Sequence, residues 1–324
     1  MLMTTKQEIE TSAKKQFWTR PPVVFLAALF CCVLWGSASP AIKIAYRLFA
    51  IDVSDTASRL LLAGTRFTIS GIMIIAFGSL LNGRFLKPKR TSWGKICVLA
   101  MLQTVLQYYF FFMSLANTSG VRASIINASG NFLAILTAAY LFHLEAMTPR
   151  KWIGCIVGFA GIVLLIGGSN AITADGISLA GEGAMLAADI FYAVSGCLIK
   201  IYSQDEDPVV LSGYQFFLGG IVLSLIGFLS GGKLVFQSGS CYLILLYLCF
   251  ISAGAYTVWG ILLKYNPVSR VSILGFMNPV MGVLLSALFL HENQEAFSLT
   301  GLCALLLVSL GIIIVNRSGT KKSN

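Results

Sequence analysis

Asp189 stands almost alone as a carboxylate set deep in an apolar stretch of this chain. It lies nine residues into the run 180–199, about 13 Å along a helix rising ~1.5 Å per residue, close to the middle of a bilayer. An aspartate is too short to reach a membrane surface from there, and burying it costs at least ~2.5 kcal/mol on insertion scales. Such a carboxyl either titrates protons or binds substrate beside a water-filled cavity, or it stays neutral or paired in a structural role. Arg66 lies six residues into the run 60–81, about 9 Å from its end. A long cationic side chain at that depth either snorkels to the surface or serves a gate or an anion site. Its echo in the second half of the chain is the neutral Gln215.

Amides and aromatic rings accompany these charges. Asn131 and Asn278 sit inside apolar runs, where a side-chain amide seeks hydrogen bonds between helices or lines a polar site. Pro279 follows Asn278 and removes a backbone donor, which leaves the Gly275 carbonyl without its usual helical partner. Trp35, Gln107, Tyr108, Tyr109, Tyr192, Tyr256 and Trp259 fall within their runs rather than at the edges, where aromatic anchors of a membrane interface would stand. They line a ligand pocket or pack a core. Of this set Trp35, Gln107, Tyr109, Tyr192, Tyr256 and Trp259, with Asn131, Asn278 and Asp189, are the candidate cavity residues. Lys43 and Lys200, and likewise Glu145 and Glu292, hold equivalent places in the two halves and are candidates for anchoring or for gate charge pairs, with Arg66 beside them. His143 and His291 lie near run ends and read as interfacial.

The elements that must position these residues are helices. The chain is 57% hydrophobic and 11% charged, against roughly 25% charged in soluble domains, and its mean hydropathy is +0.83. Ten apolar runs stand at 22–42, 60–81, 93–114, 122–143, 152–167, 180–199, 209–229, 241–261, 271–290 and 298–315. Most approach the ~20 residues that cross a ~30 Å hydrocarbon core. Met1 to Arg20 is polar, and the run that follows Pro21-Pro22 is longer than the core of a cleaved signal, so it reads as a first span. The net charge of +10 is scattered between apolar runs, which argues against nucleic acid. The eight cysteines lie in or beside apolar runs without C-x-x-C spacing and read as small hydrophobes. No H-E-x-x-H, G-x-S-x-G or Walker A sequence occurs, so neither an enzyme nor an ATP-driven pump is indicated and no cofactor or metal is assigned.

The runs repeat. Gly64, Gly71, Gly78 and Gly83 recur as Gly213, Gly220, Gly227 and Gly232 at a constant offset of 149, three of them at a seven-residue period on one helical face. Further echoes follow in the same order, among them Trp35…Lys43 with Tyr192…Lys200 and Asn131 with Asn278. The chain therefore divides into a tail over 1–21, a five-helix repeat over 22–170, a second over 171–317 and a tail over 318–324. Five spans per repeat place the second repeat upside down. Of the 23 Lys and Arg residues, seventeen fall on the side of the two termini and five on the other, with Arg66 inside a helix. That bias makes both termini cytoplasmic. A duplicated, inverted, all-α membrane chain is the usual build of a secondary transporter.

The ordered set of motifs resembles the EamA-type branch of the drug/metabolite transporter superfamily. It comprises Leu34-Trp35-Gly36-Ser37 with Lys43, Arg66-Phe67, Tyr140-Leu141-Phe142-His143-Leu144-Glu145 leading to Gly154 and Gly161, Asn278-Pro279, and Leu288-Phe289-Leu290-His291-Glu292. The likeness spans nearly the whole chain. It departs at Leu144, where a small residue is usual, at Phe132, where proline is usual, and in an insertion after Glu292. The resemblance implies export of small polar or amphipathic metabolites, such as amino acids, by alternating access around a central cavity at the plasma membrane. Its partners would be a small-molecule substrate and the lipid bilayer, while protons as coupling ion are an expectation that comes from Asp189. It names no one substrate, and the direction of transport, the coupling ion and the oligomeric state stay open.

Overall fold

Helix α1 (Pro21–Leu48) begins where Pro21 and Pro22 occupy a first turn, whose amides need no internal acceptor. It opens a computed structural model that describes residues 12–52, 54–117, 120–167, 178–290 and 299–316. A short helix over 12–19 precedes it. α2 (Thr56–Leu81) starts at Asp55, whose carboxylate accepts from the Ser58 amide at 2.9 Å. α7 (Pro208–Leu229) starts in the same way at Asp207, which accepts from the Val209 amide at 2.8 Å ahead of Pro208. Each cap satisfies an orphan amide and fixes the first turn.

The remaining helices are α3 over 90–117, α4 over 120–141, α5 (Pro149–Gly167), α6 over 179–202, α8 (Gly239–Tyr265), α9 over 268–290 and α10 (Leu299–Asn316). Three contain a π turn, at Ala100–Leu106 in α3, Thr137–Leu141 in α4 and Leu179–Gly183 in α6. α9 is broken by a 3₁₀ turn over Ile273–Phe276, just before the Asn278-Pro279 pair. Among the described residues, six helices are long and apolar enough to cross a membrane: α1, α2, α3, α6, α7 and α8. Shorter apolar stretches lie in α4 and α10. This is an all-helical integral membrane fold.

Two boundaries differ from the sequence expectation with consequences. α2 begins at Thr56 rather than at residue 60 because the Asp55 cap lies upstream of the apolar run. Arg59, expected outside the membrane, is therefore inside the helix, and Arg66 stands about 15 Å along it rather than 9 Å. α1 continues through Pro40 to Leu48, which brings Lys43 and Tyr46 into the helix.

α2 and α7 pack against each other through their glycines. A Cβ on Gly71 would stand 2.6 Å from the Gly213 carbonyl oxygen, one on Gly220 would stand 2.9 Å from that of Gly64, and one on Gly227 would stand 2.9 Å from that of Ala57. Rising numbers on one helix meet falling numbers on the other, so the pair is antiparallel. Small residues allow this approach, and packing rather than hydrophobicity holds helices together in lipid. α1 packs on α8 and α9, α6 packs on α3 and α4, and α5 packs on α10. The fourth glycine echo does not hold as a shared turn. Gly83 takes φ +59°, but the positive φ in the second half, +89°, belongs to Gly231, while Gly232 packs against Ala57.

The loops gather at two ends. At one, Asn266 Nδ2 donates to the Trp18 carbonyl at 2.9 Å, the Tyr214 hydroxyl donates to the Leu86 carbonyl at 3.0 Å, and Lys95 pairs with Asp205 at 2.6 Å. The Lys95 ammonium holds the exposed Asp205 carboxyl below its usual range. At the other end, the Lys233 amide donates to Ser58 Oγ at 2.9 Å and the Phe49 and Phe236 rings meet at 5.0 Å.

Candidate functional site

The aromatic residues of α1, α2, α3, α7 and α8 meet in one cluster. The Trp35 ring lies 5.2 Å from Tyr256 and 5.0 Å from Trp259. Tyr256 meets Phe216 at 4.8 Å, and Phe216 stacks on Phe67 at 5.0 Å. The Tyr108 and Tyr256 hydroxyls share a hydrogen bond of 2.8 Å. Tyr192 of α6 lies beside Trp259, the two bordering one small internal space. Beside Tyr192 and Trp259 lies an internal space of about 10 Å³, also bordered by Gln103, Ala134 and Ser272. That is room for about one water, whereas metabolite pockets run to hundreds of Å³. The rings are therefore closed upon one another.

Trp35, Tyr192, Tyr256 and Trp259 thus come together. Tyr109 does not: it is 41% exposed and turns away from the cluster, and Tyr108 takes the inward place. The reason is the π turn over Ala100–Leu106, which adds a residue to the helix and rotates everything after it by about one position. Position within an apolar run does not say which of two adjacent tyrosines turns inward. Gln107 is half-buried, and its Oε1 has no hydrogen-bond partner.

The amides and carboxylate lie where α4 meets α6 and α9. Asn131 is buried against Gly275, so close that a Cβ there would overlap its amide, Oδ1 being the nearest atom. Gly275 is the residue to whose carbonyl Pro279, four residues on, offers no amide, and at the end of the 3₁₀ turn the Met277 amide is directed to it. Asn278 is half-buried one turn further on. Asp189 is 2% exposed and faces α4, where the Ser129 hydroxyl donates to its Oδ2 at 3.3 Å. A Cβ on Gly130 would stand 3.0 Å from its Oδ1, so glycine makes room for the carboxyl. Among the described residues no cation lies within ion-pair distance of Asp189.

The candidate gate charges separate. Glu145 accepts from Lys151 Nζ at 2.7 Å, from the Ser269 amide at 2.7 Å and from the Ser269 hydroxyl, and so ties the α4–α5 loop to the start of α9. Lys200 donates to the carbonyls of Leu263 at 3.2 Å and Asn266 at 2.5 Å, which fastens α6 to the α8–α9 junction. Lys43 is exposed on α1. Glu292 and His291 lie outside the described residues. Arg66 does not snorkel: it is 6% exposed, with its guanidinium 4.5 Å from the Phe67 ring centre and 5.7 Å from that of Tyr108. Its echo Gln215 is buried and donates to Gln103 Oε1 at 2.5 Å.

Sequence reasoning singled out neither Arg59, Gln103 nor Ser129. Arg59 stands two turns before Arg66, a spacing that signals a shared helix face. Gln103 is a polar residue within an apolar run. Ser129 carried no signal of its own. Glu145→Ala is expected to loosen the end of the bundle it clamps, so that amides of 142–149 and 266–272 exchange hydrogen several-fold faster. Unchanged exchange there would show that the clamp carries no strain.

A membrane bundle with charged and amide groups buried between its helices, and an aromatic cluster drawn from both halves, defines a membrane transport protein by class. The chain belongs to the EamA-like transporter family, whose model matches residues 23–167 and again 179–317. Relatives carry transporter names. It is 28% identical to the uncharacterized inner membrane transporter YedA of Escherichia coli, over 80% of each chain. It is 26% identical to the uncharacterized transporter YvbV of Bacillus subtilis, over 90% of each. A WAT1-related chloroplastic protein of Arabidopsis thaliana is 27% identical over 86% of this chain and 66% of its own length. One crystal structure matches with a TM-score of 0.73 over 90% of this chain and 98% of that one, at 22% identity, a likeness of fold alone.

Proposed function

We propose that this protein is a secondary transporter that exports small polar or amphipathic metabolites, amino acids or related compounds among them, by alternating access. Its two five-helix halves, 22–170 and 171–317, would be inverted copies that rock about a site between them, ten spans in all. The carrying observation is the exchange relation in the packing. Gly64 meets Gly220 and Gly71 meets Gly213, and adding the repeat offset to one contact returns the other. α1 on α8 and α9 is likewise exchanged with α6 on α3 and α4. Either kind of two-fold would exchange the helix contacts, but the antiparallel run of the glycine contacts supports a half-turn in the membrane plane, because a half-turn about the membrane normal would set α2 and α7 parallel. The family model's matching of each half in turn supports the duplication. The aromatic cluster and Asp189 are the site in this reading, with Glu145 and Lys200 closing the terminal end. Asp189 would carry the coupling proton.

The excess of Lys and Arg on the terminal side supports cytoplasmic termini, and the inner-membrane name of the Escherichia coli relative supports the plasma membrane. Single cysteines placed in the two tails are expected to react with impermeant maleimide only after permeabilisation. Labelling of one tail in intact cells would remove the inverted arrangement. Transport itself is tested by flux of amino acids and other small metabolites in proteoliposomes with and without a pH gradient. No flux of any compound above that of empty liposomes would count against the reading.

A further inference from the structure

Among the buried side-chain atoms without a hydrogen-bond partner are three donors on α1 and α2: Trp35 Nε1, Arg59 Nε and Arg66 Nε. Arg59 is 3% exposed, and its guanidinium lies 5.2 Å from the centre of the Tyr46 ring. The Tyr46 phenol stands within electrostatic reach of both arginines. Trp35 and Tyr108 pack against the same buried cluster of Phe67, Phe216 and Tyr256. A buried arginine does not shed its proton, so each brings a full positive charge into an apolar place. Facing rings offset only part of that cost. Among the described residues no carboxylate makes an ion pair with either arginine. Asp52 feels Arg59 only at longer range. It is exposed, and its carboxyl is held low first by the hydroxyl and amide of Ser54.

We propose that Arg66, with Arg59 two turns nearer the α1–α2 loop, forms a recognition site for the carboxylate of an amphipathic organic acid, whose apolar body the Phe67, Tyr108 and Trp35 rings would face. The inference rests on the transport reading for its purpose and names the substrate class. The two guanidinium groups and the Trp35 indole all offer donors, which suits an anion, although the Oε1 atoms of Gln107 and Gln215, beside Tyr108 and Phe216, are unpartnered acceptors. The guanidinium fork matches two oxygens of one carboxylate. The aromatic wall favours a carboxylate on an apolar body over a strongly hydrated phosphate.

The test uses purified full-length protein in detergent, with phenylacetate, its neutral analogue phenylacetamide and inorganic phosphate as probes and thermal unfolding as readout. Phenylacetate is expected to raise the unfolding temperature in a saturable way while phenylacetamide does not. Arg66→Gln, which copies the second half, should weaken phenylacetate binding at least about tenfold, the loss expected from one charge-assisted hydrogen bond. Arg59→Gln should weaken it less, and Arg66→Lys should retain part of it, so a folding failure of the glutamine variant leaves two variants to read. No stabilisation of the parent protein by phenylacetate overturns the proposal. So does equal stabilisation by phenylacetamide, unchanged binding in the arginine variants, or Arg66-dependent stabilisation by phosphate alone. Binding without any flux in proteoliposomes would count against the transport reading and leave the carboxylate site standing. Flux without carboxylate binding would do the reverse.

Discussion

Asp189→Asn is expected to insert and fold as the parent chain does, yet to lose flux driven by a pH gradient or to bind substrate much more weakly. The asparagine keeps the size of the side chain and an oxygen for the Ser129 hydroxyl, now at 3.3 Å from Oδ2. It fits the room left by Gly130 as the aspartate does. Only the exchangeable proton and the charge are removed. Losing a charged hydrogen-bonding group from a buried site costs ~1.5–3 kcal/mol, about ten- to hundredfold in affinity. If Asp189 couples protons, flux without a gradient persists and the gradient no longer accelerates it. If it binds substrate, the half-saturating concentration rises at every pH. Ser129→Ala should do less, because it removes one long hydrogen bond and no charge. Unchanged rate and pH dependence in Asp189→Asn would make the carboxyl structural and end the case for proton coupling through it.

Gly71→Val is expected to abolish folded protein outright. The new Cβ would stand 2.6 Å from the Gly213 carbonyl oxygen and 2.8 Å from the Phe217 Cα. Those are backbone atoms of a facing helix and cannot swing aside as a side chain would. Overpacking of this kind costs ~1–3 kcal/mol and occasionally more, and here it would pry apart the α2–α7 pair that joins the two halves. Gly94→Ala is the matched control. No atom lies within 4 Å of a Cβ built there and its φ is not in the positive region, so its unfolding temperature should match the parent's. Monodisperse recovery from detergent chromatography reads both variants. A folded, active Gly71→Val protein would show that the helices separate more freely than their contacts imply.

Much of the architecture was legible in the chain because its causes are local. A helix in lipid satisfies its own backbone, so apolar length and polar separators suffice to mark it. The seven-residue glycine period on the α2 and α7 runs marked a packing face before any partner was known, and that face is where the two helices touch. Helix caps were less legible. Asp55 precedes the apolar run, and a reading that starts a helix at its first apolar residue places Arg59 in solvent and Arg66 too near the surface.

Pairing and register belong to tertiary structure. That α2 should face α7 rather than another apolar helix depends on three-dimensional complementarity that no linear period contains. The inward turn of Tyr108 in place of Tyr109 depends on a π turn, where one extra residue rotates the rest of α3 and leaves no mark in hydrophobic spacing. The partners of Asp189 and Glu145 lie far away in sequence, at Ser129 and Ser269, brought close only when α4 packs against α6 and α9. By itself the sequence determined that the chain is helical, membrane-embedded and built on a repeated pattern, because those properties follow from solvation of each segment by lipid. Only the tertiary structure decided that Arg59 and Arg66 are buried beside aromatic rings, because burial is a property of what surrounds a side chain and not of the side chain alone.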